Sequence, residues 1–371
     1  MTQHSIAMDG RGAFLYRGTG IGTYTWQLLS HLTKEIPDLK IFLPGEEYHH
    51  FSFTGETAVS PFPHHDLWRQ VFLPKALQKN HTELYHVPQN GIGLPSKKIC
   101  KETVTIHDLI PYLFPETVGR GYLKEYLSEM PSVLERSDGI ITVSQCSKED
   151  ILRLFHYPEE KISVIYEAPE PIYRPLPPGE TKAFLEKNYG ISDDYILYVG
   201  GFGIRKNIKA LINAFYLLKK EDHLPLRLVL PGKRNRDFDA MDQLAEALGL
   251  KDEIIFPDYV PVEDLPWFYN GAMMMVYPSF YEGFGLPPLE AMACGTPVIA
   301  AKTSSLPEIL GSAALWCNPF DTTDIAGQMH RLYVSPTLRS HLSQKGKEKA
   351  ASYTWQKAAV ETADFFRKIL R

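Results

Sequence analysis

Two carboxylates, Glu282 and Glu290, stand either side of a glycine turn, Gly283-Phe284-Gly285, that runs into a helix start at Pro287-Pro288. A carboxylate accepts two hydrogen bonds and suits a vicinal diol of a ribose or a sugar ring. The amides of such a loop, with the helix N-terminus behind them, suit an anion. Taken singly, Glu282 reads as a surface turn and Glu290 as a helix-dipole partner; together in this setting they favour a binding site. A second loop, Gly200 to Asn207 (G-G-F-G-I-R-K-N), includes Gly203 and places Arg205 and Lys206 beside a helix start read as capped by Asn207. Two cations there suit a diphosphate. A third, Asp9 to Thr23, holds five glycines, Gly20 and Gly22 among them, with Arg11 and Arg17. Glycines let backbone N–H groups approach an anion closely, but the usual dinucleotide spacing is absent, and a flexible turn is the plainer reading. The fourth is Ile106 to Pro111 (I-H-D-L-I-P), with His107 just past a strand. A lone histidine there is as often structural as functional.

These loops need strands to hold them, since open parallel sheets bind ligands beyond the carboxyl ends of their strands. Apolar runs predict strands near Ser5–Met8, Lys40–Leu43, Glu83–Val87, Thr103–Ile106, Gly139–Val143 and Ile162–Ile165, with helical patterns near Gly22–His31, Asp66–Lys79, Tyr122–Glu135 and Lys148–Phe155. Buried strands alternating with helices argue for a parallel sheet covered on both faces. Glu167 to Gly179 (E-A-P-E-P-I-Y-R-P-L-P-P-G) breaks the pattern and reads as a linker. The alternation then restarts: strands near Tyr195–Val199, Arg227–Leu230, Glu253–Phe256, Met273–Tyr277 and Pro297–Ala300, helices near Ile208–Lys219, Phe238–Ala247, Val262–Asn270 and Pro287–Ala293. The expectation is an α/β protein of two Rossmann-like, doubly wound domains, 1–170 and 180–354, with a C-terminal helix, about 355–371, packing back on the first.

Composition narrows the class. The net charge of -5, from 39 basic and 44 acidic residues, lacks the basic excess of a nucleic-acid coat protein. Cys100, Cys146, Cys294 and Cys317 show no metal-ligand spacing and are too sparse for a disulfide framework, so free thiols are expected. Met1 to Asp9 does not read as a signal peptide, and the longest apolar run, Gly271–Tyr277, is a strand's length. A cytoplasmic location is expected, with peripheral membrane contact left open.

Glu282 and Glu290 with the turn between them resemble the E-x7-E signature of retaining glycosyltransferases of family 4, the group 1 transferases of the GT-B fold. Ala291-Met292-Ala293-Cys294-Gly295-Thr296-Pro297-Val298 resembles that family too, as do Gly203 to Asn207, Ile106 to Pro111, and Val143-Ser144 with Ser147. The resemblance spans nearly the whole chain and implies two domains facing across a cleft, the first on the acceptor side and the second binding a nucleotide-sugar. It implies that Glu290 holds the donor ribose, Glu282 holds hydroxyls of the donor sugar, and Arg205 and Lys206 balance the leaving diphosphate. Gly20 and Gly22 would bring amides to the phosphates; Gly203, Gly283, Phe284, Gly285 and Leu286 would line the donor site. His107 would touch the donor sugar. Similar enzymes retain anomeric configuration, by front-face attack within a loose ion pair, and need neither metal nor cofactor. Fixed cations and helix amides can stabilise a departing diphosphate in place of Mg²⁺.

Asp237-Phe238-Asp239 gives a D-x-D string at a predicted helix start, where acidic residues are common, and is read as structural. Glu167-Ala168-Pro169 departs from the family pattern, standing where similar chains often carry an asparagine–glycine turn. His64 to Arg69 is read as an amphipathic helix start in preference to an acceptor groove. Gly283–Pro288 and Thr303–Glu308 look most like mannosyltransferases of bacterial polysaccharide synthesis, which makes GDP-mannose the first expected donor and UDP-sugars the next, with a glycan or lipid-linked acceptor. The competing readings are a GT-B nucleotide-sugar epimerase or hydrolase, an NAD-dependent oxidoreductase and a non-catalytic GT-B subunit. The E-x7-E block argues against the first. The missing glycine pattern with its acidic ribose partner argues against the second. Against the third stands the intact set Glu282, Glu290, Arg205, Lys206 and His107.

Overall fold

A computed structural model of the chain describes residues 4–43, 45, 56–60, 65–222, 224–234 and 236–371. The chain divides into two units, Met1–Glu167 with Thr354–Arg371, and Ala168–Tyr353. The first unit holds seven parallel strands: β1 (Ile6–Asp9), β2 (Lys40–Leu43), β3 (Glu56–Val59), β4 (Leu84–Val87), β5 (Lys101–Ile106), β6 (Gly139–Thr142) and β7 (Ile162–Val164). They lie in the order β3-β2-β1-β4-β5-β6-β7. β1 pairs with both β2 and β4, so the chain reverses its direction of travel across the sheet at β1/β4. β1, β4 and β6 are buried along their whole length, as strands covered on both faces must be. The helix Trp355–Leu370 buries Trp355, Ala358, Ala359, Thr362, Ala363, Phe365 and Phe366. It comes so close to the sheet that a Cβ on Gly139 would lie 2.7 Å from Ile369 Cδ1 and 2.8 Å from Phe365 Cζ. Bulk at this β6 position would therefore push the helix off.

The second unit holds six parallel strands: β8 (Tyr195–Leu197), β9 (Arg227–Val229), β10 (Ile254–Ile255), β11 (Met274–Tyr277), β12 (Val298–Ala301) and β13 (Ala314–Cys317). Their order is β10-β9-β8-β11-β12-β13, which puts the reversal at β8/β11. Met274 pairs with Ile196 and Met275 with Leu197, so β8 and β11 run side by side in the same direction and send their following loops to the same edge of the sheet.

The structure changes several local readings. The helix expected over Asp66–Lys79 is three pieces: His65–Leu67, a wide-turn stretch Trp68–Phe72, and Leu73–Lys79. Pro74 lacks an N–H, so the regular ladder is interrupted there. The glycine-rich segment after β1 is not one loop; it contains a short helix, Arg11–Leu15, and the next helix already begins at Gly20 (Gly20–Glu35). The proline-rich linker ends earlier than Gly179, because Pro178 opens the helix Pro178–Tyr189, where proline costs nothing at the first turn. Asp237 and Asp239 are exposed in the first turn of the helix Arg236–Ala247, while Phe238 between them is buried against Phe202 and Phe256. All four cysteines are free; Cys294 and Cys317 are buried, Cys100 and Cys146 half-buried. Among the described residues no helix is long and apolar enough to cross a membrane.

Candidate active site

In the second unit the loops after β8 and β11 meet at the sheet reversal, where open α/β sheets bind their ligands. The turn Ile204–Lys206 follows β8 with Gly203 as its cap. Its two cations converge on one carboxylate: Lys206 Nζ lies 2.7 Å from Glu282 Oε1 and Arg205 Nη1 lies 3.0 Å from Glu282 Oε2. Lys206 also donates to the Tyr277 hydroxyl at 2.8 Å, and Arg205 Nη1 donates to the carbonyl of Tyr281. Phe280 N–H donates to Arg205 O at 2.9 Å, tying the two loops by their backbones as well. Burial opposes ionisation of Glu282, but the charges of Lys206 and Arg205 outweigh it and hold the carboxyl down to about 2. The result is a fixed cluster of charge +1 at the strand ends, preorganised for an anion.

Glu282 is positioned by residues that sequence reasoning did not single out. Its N–H donates to Ser304 Oγ at 2.9 Å, and Ser305 Oγ donates at 2.9 Å to the carbonyls of both Glu282 and Phe284. The Thr303–Glu308 stretch, noted above only for its likeness to mannosyltransferases, is thus the clamp on the Glu282 loop. Gly283, Phe284 and Leu286 are buried, and Phe284 meets Tyr353 edge-on at 5.9 Å. Gly285 sits at φ +105 immediately before the helix Leu286–Cys294, and a Cβ there would lie 2.7 Å from Leu306 Cδ2. Glycine is therefore demanded twice, by the backbone and by the space. One turn into that helix Glu290 is buried, and the Tyr269 hydroxyl donates to its Oε2 at 2.7 Å. Asn207 does not cap its helix with its side chain. It sits at φ +58 and its Nδ2 donates to the carbonyls of Pro278 (3.1 Å) and Pro319 (2.7 Å), bracing the loop after β11 instead.

In the first unit His107 follows β5 and is buried. Its Nδ1 lies 3.0 Å from Glu167 Oε1 and its Nε2 lies 2.9 Å from Pro88 O. Its backbone is held as firmly: the N–H donates to Asn90 Oδ1 at 2.9 Å, and the carbonyl accepts from Ser147 Oγ at 2.8 Å. Ser147 thus serves to seat His107, and Ser144 Oγ fixes Ser147 in turn by capping the helix Gln145–Phe155 through Ser147 N–H. Gly20 opens the helix Gly20–Glu35; Gly22 lies in its first turn, and its N–H donates to Thr19 Oγ1 at 3.2 Å. Of the His64 to Arg69 segment, His64 lies outside the described residues. Arg69 forms a forked pair with Glu129 (2.9 and 2.7 Å) and also donates to Leu94 O, an anchoring role in the unit.

Comparison with known proteins bears on these geometries together. The family described as Glycosyl transferases group 1 matches residues 182–349, and the one described as Glycosyltransferase Family 4 matches residues 18–168. O-antigen chain mannosyltransferase B of Escherichia coli is 32% identical, with 95% of this chain and 97% of that protein covered. Among solved structures, sucrose-phosphate synthase of Thermosynechococcus elongatus superposes with a TM-score of 0.78 over 98% of both chains at 23% identity. Anabaena HepE, solved with UDP and glucose, superposes with a TM-score of 0.76 over 98% of this chain and 100% of that one at 16% identity. The two doubly wound parallel sheets, the E-x7-E loop at the second sheet's reversal and both family matches agree: this chain belongs to the family 4, group 1 glycosyltransferases of the GT-B fold.

Proposed function

We propose that this glycosyltransferase moves mannose from GDP-mannose onto a glycan or lipid-linked acceptor with retention of anomeric configuration, without a metal ion. The observation that carries the reading is the convergence of Lys206 and Arg205 on Glu282 at the end of β8 and β11. The diphosphate of the donor takes the two cations as its counter-ions, Glu282 and Glu290 take hydroxyls of the sugar and the ribose, and the glycine-rich helix start at Gly20 offers its amide to the phosphates, the Gly22 N–H being given to Thr19 Oγ1. As the glycosidic bond breaks, negative charge grows on the leaving diphosphate. Fixed cations stabilise that charge more than they stabilise the intact donor, which is the condition for raising kcat. The leaving oxygen accepts the acceptor's proton on the same face of the sugar, and the new bond forms there. Mannose is supported by the 32% identity to an O-antigen chain mannosyltransferase over nearly the whole chain.

A thermal-shift panel of GDP, UDP, ADP, TDP and their common sugars, run with a chelator present, tests the donor. A ligand at about 100 times its dissociation constant adds roughly 2.7 kcal/mol, enough to raise Tm by several degrees. The expected result is a selective shift with GDP and GDP-mannose that the chelator leaves intact. A selective UDP shift replaces the donor, and activity lost to chelator and restored by Mn²⁺ overturns the metal-free reading. In the transfer assay, Lys206→Ala should cut kcat by about 10²-fold while weakening nucleoside binding far less, because the charge it meets develops at the leaving group. A KM effect with unchanged kcat would refute that role.

A further inference from the structure

The departure of Glu167-Ala168-Pro169 from the family pattern has a structural partner: Glu167 is the residue that closes on His107. The two are far apart in sequence, both are nearly inaccessible (7% and 4% exposed), and their side chains meet at 3.0 Å. The hydrogen count of this contact follows from the chemistry of the partners. Pro88 O can only accept, so His107 Nε2 carries a hydrogen. With Glu167 ionised, its oxygens can only accept, and Nδ1 then carries a hydrogen as well. A ring with hydrogen on both nitrogens is an imidazolium, and the carboxylate beside it supplies the counter-charge that burial requires.

The neighbours are consistent with a charge at this place and supply no rival for it. Tyr24, from the helix Gly20–Glu35, stands edge-on to the ring at 4.7 Å and donates to or accepts from Thr105 Oγ1; burial pushes its phenol far up, so it stays neutral. His86, on β4, has its two nitrogens beside the hydroxyls of Thr103 and Thr105; burial first, and the charge of His107 next, push it down to about 3, so it stays neutral too. Asp108, the next residue, adds a further carboxylate that favours the cation. Burial lowers the proton affinity of His107, and its bond to Glu167 more than restores it.

We propose that Glu167 is a positioning residue for transfer, holding His107 as a doubly protonated, fixed cation whose ring nitrogens are both engaged within the first unit. His107 then acts on the donor through its charge and its ring edge, not as an acid or base that exchanges a proton in the reaction. The proposal rests on the reading of His107 as a group that touches the donor sugar, and it assigns a function to the sequence departure at Glu167.

Glu167→Gln separates charge from position. A glutamine amide can donate to Nδ1 while Nε2–H still meets Pro88 O, so the ring keeps its place and loses its charge. Nitrogen NMR of the histidine ring, with the His107 signals assigned by their loss in His107→Gln, should show both ring nitrogens protonated at pH 7.5 in the wild type and one in Glu167→Gln. Transfer in Glu167→Gln should fall by about 10²-fold in kcat. It should recover as pH is lowered and His107 regains its proton, whereas wild-type kcat should show no such step; Glu167→Asp should restore part of the rate. A singly protonated His107 in the wild type overturns the proposal whatever the transfer assay gives. An unchanged kcat and pH profile in Glu167→Gln also overturns it, and the nucleotide panel on the same variant then reports separately whether the transferase reading stands.

Discussion

Glu282→Ala is expected to destabilise the second unit by about 3–5 kcal/mol and to reduce transfer by at least about 10²-fold. The stability loss comes from what remains. Lys206 and Arg205, with only 17% and 16% of their side chains exposed, would face each other without the carboxylate that neutralises one of them. Removing one partner of a buried pair costs far more than the pair contributes, because the desolvated charge stays behind. A diphosphate would supply the missing anion, so GDP should raise the Tm of Glu282→Ala at least as much as that of the wild type even though transfer is lost. Denaturant unfolding with and without GDP checks both halves; a variant as stable as the wild type without ligand would refute the coupling.

The same pair fixes a pH signature. A carboxyl held below its ordinary value of 4.5 contributes stability that is fully present above 4.5 and is lost as pH falls through about 2. The difference in unfolding free energy between wild type and Glu282→Gln should therefore be level from pH 8 to pH 5 and shrink only below that. A difference that shrank near neutrality would point to another group.

What could be read from the sequence follows from the range of the interactions that decide each feature. β1, β4, β6 and β11 are mostly apolar and buried along their whole length, so composition over a few residues identifies them. The expectations from sequence omit β3 (E-T-A-V), β13 and the helices Thr322–Val334 and Pro336–Ala351. The last of these buries only Leu342, Gly346 and Ala350, so it carries almost no apolar stripe to detect. The E-x7-E loop was legible because its parts are local. The groups that hold it, Ser304, Ser305 and Tyr269, and the group that holds His107, Glu167, act across long sequence separations that no periodicity reports. Asn207 shows the same limit from the other side: local propensity favours a cap, and tertiary acceptors at Pro278 and Pro319 claim its amide instead.

Gly22→Ala should destabilise the first unit by about 2–4 kcal/mol and should abolish donor binding by that unit's loop, whereas Gly20→Ala should leave folding intact. A Cβ on Gly22 would overlap the carbonyl oxygen of Tyr16 and lie 2.9 Å from Arg17 N, so it meets main chain, which cannot rotate away. The strand of backbone it would displace is the one that organises the helix start. Tyr16 O accepts from Thr19 N–H at 3.0 Å and from Thr19 Oγ1 at 2.7 Å, and Thr19 Oγ1 in turn caps Gly22 N–H. Overpacking of this kind costs about 1–3 kcal/mol and a lost cap about 1 kcal/mol more. Nothing lies within 4 Å of a Cβ built on Gly20, and alanine in a helix is favoured over glycine by roughly 0.5–1 kcal/mol, so Gly20→Ala should fold at least as well as the wild type. If Gly20 is glycine so that its amide can approach a phosphate, Gly20→Ala should still lose donor affinity while gaining stability. Unfolding curves and donor titrations on the two variants separate a glycine needed for packing from one needed for the ligand; Gly22→Ala at wild-type stability would show that the Tyr16–Thr19 turn yields freely.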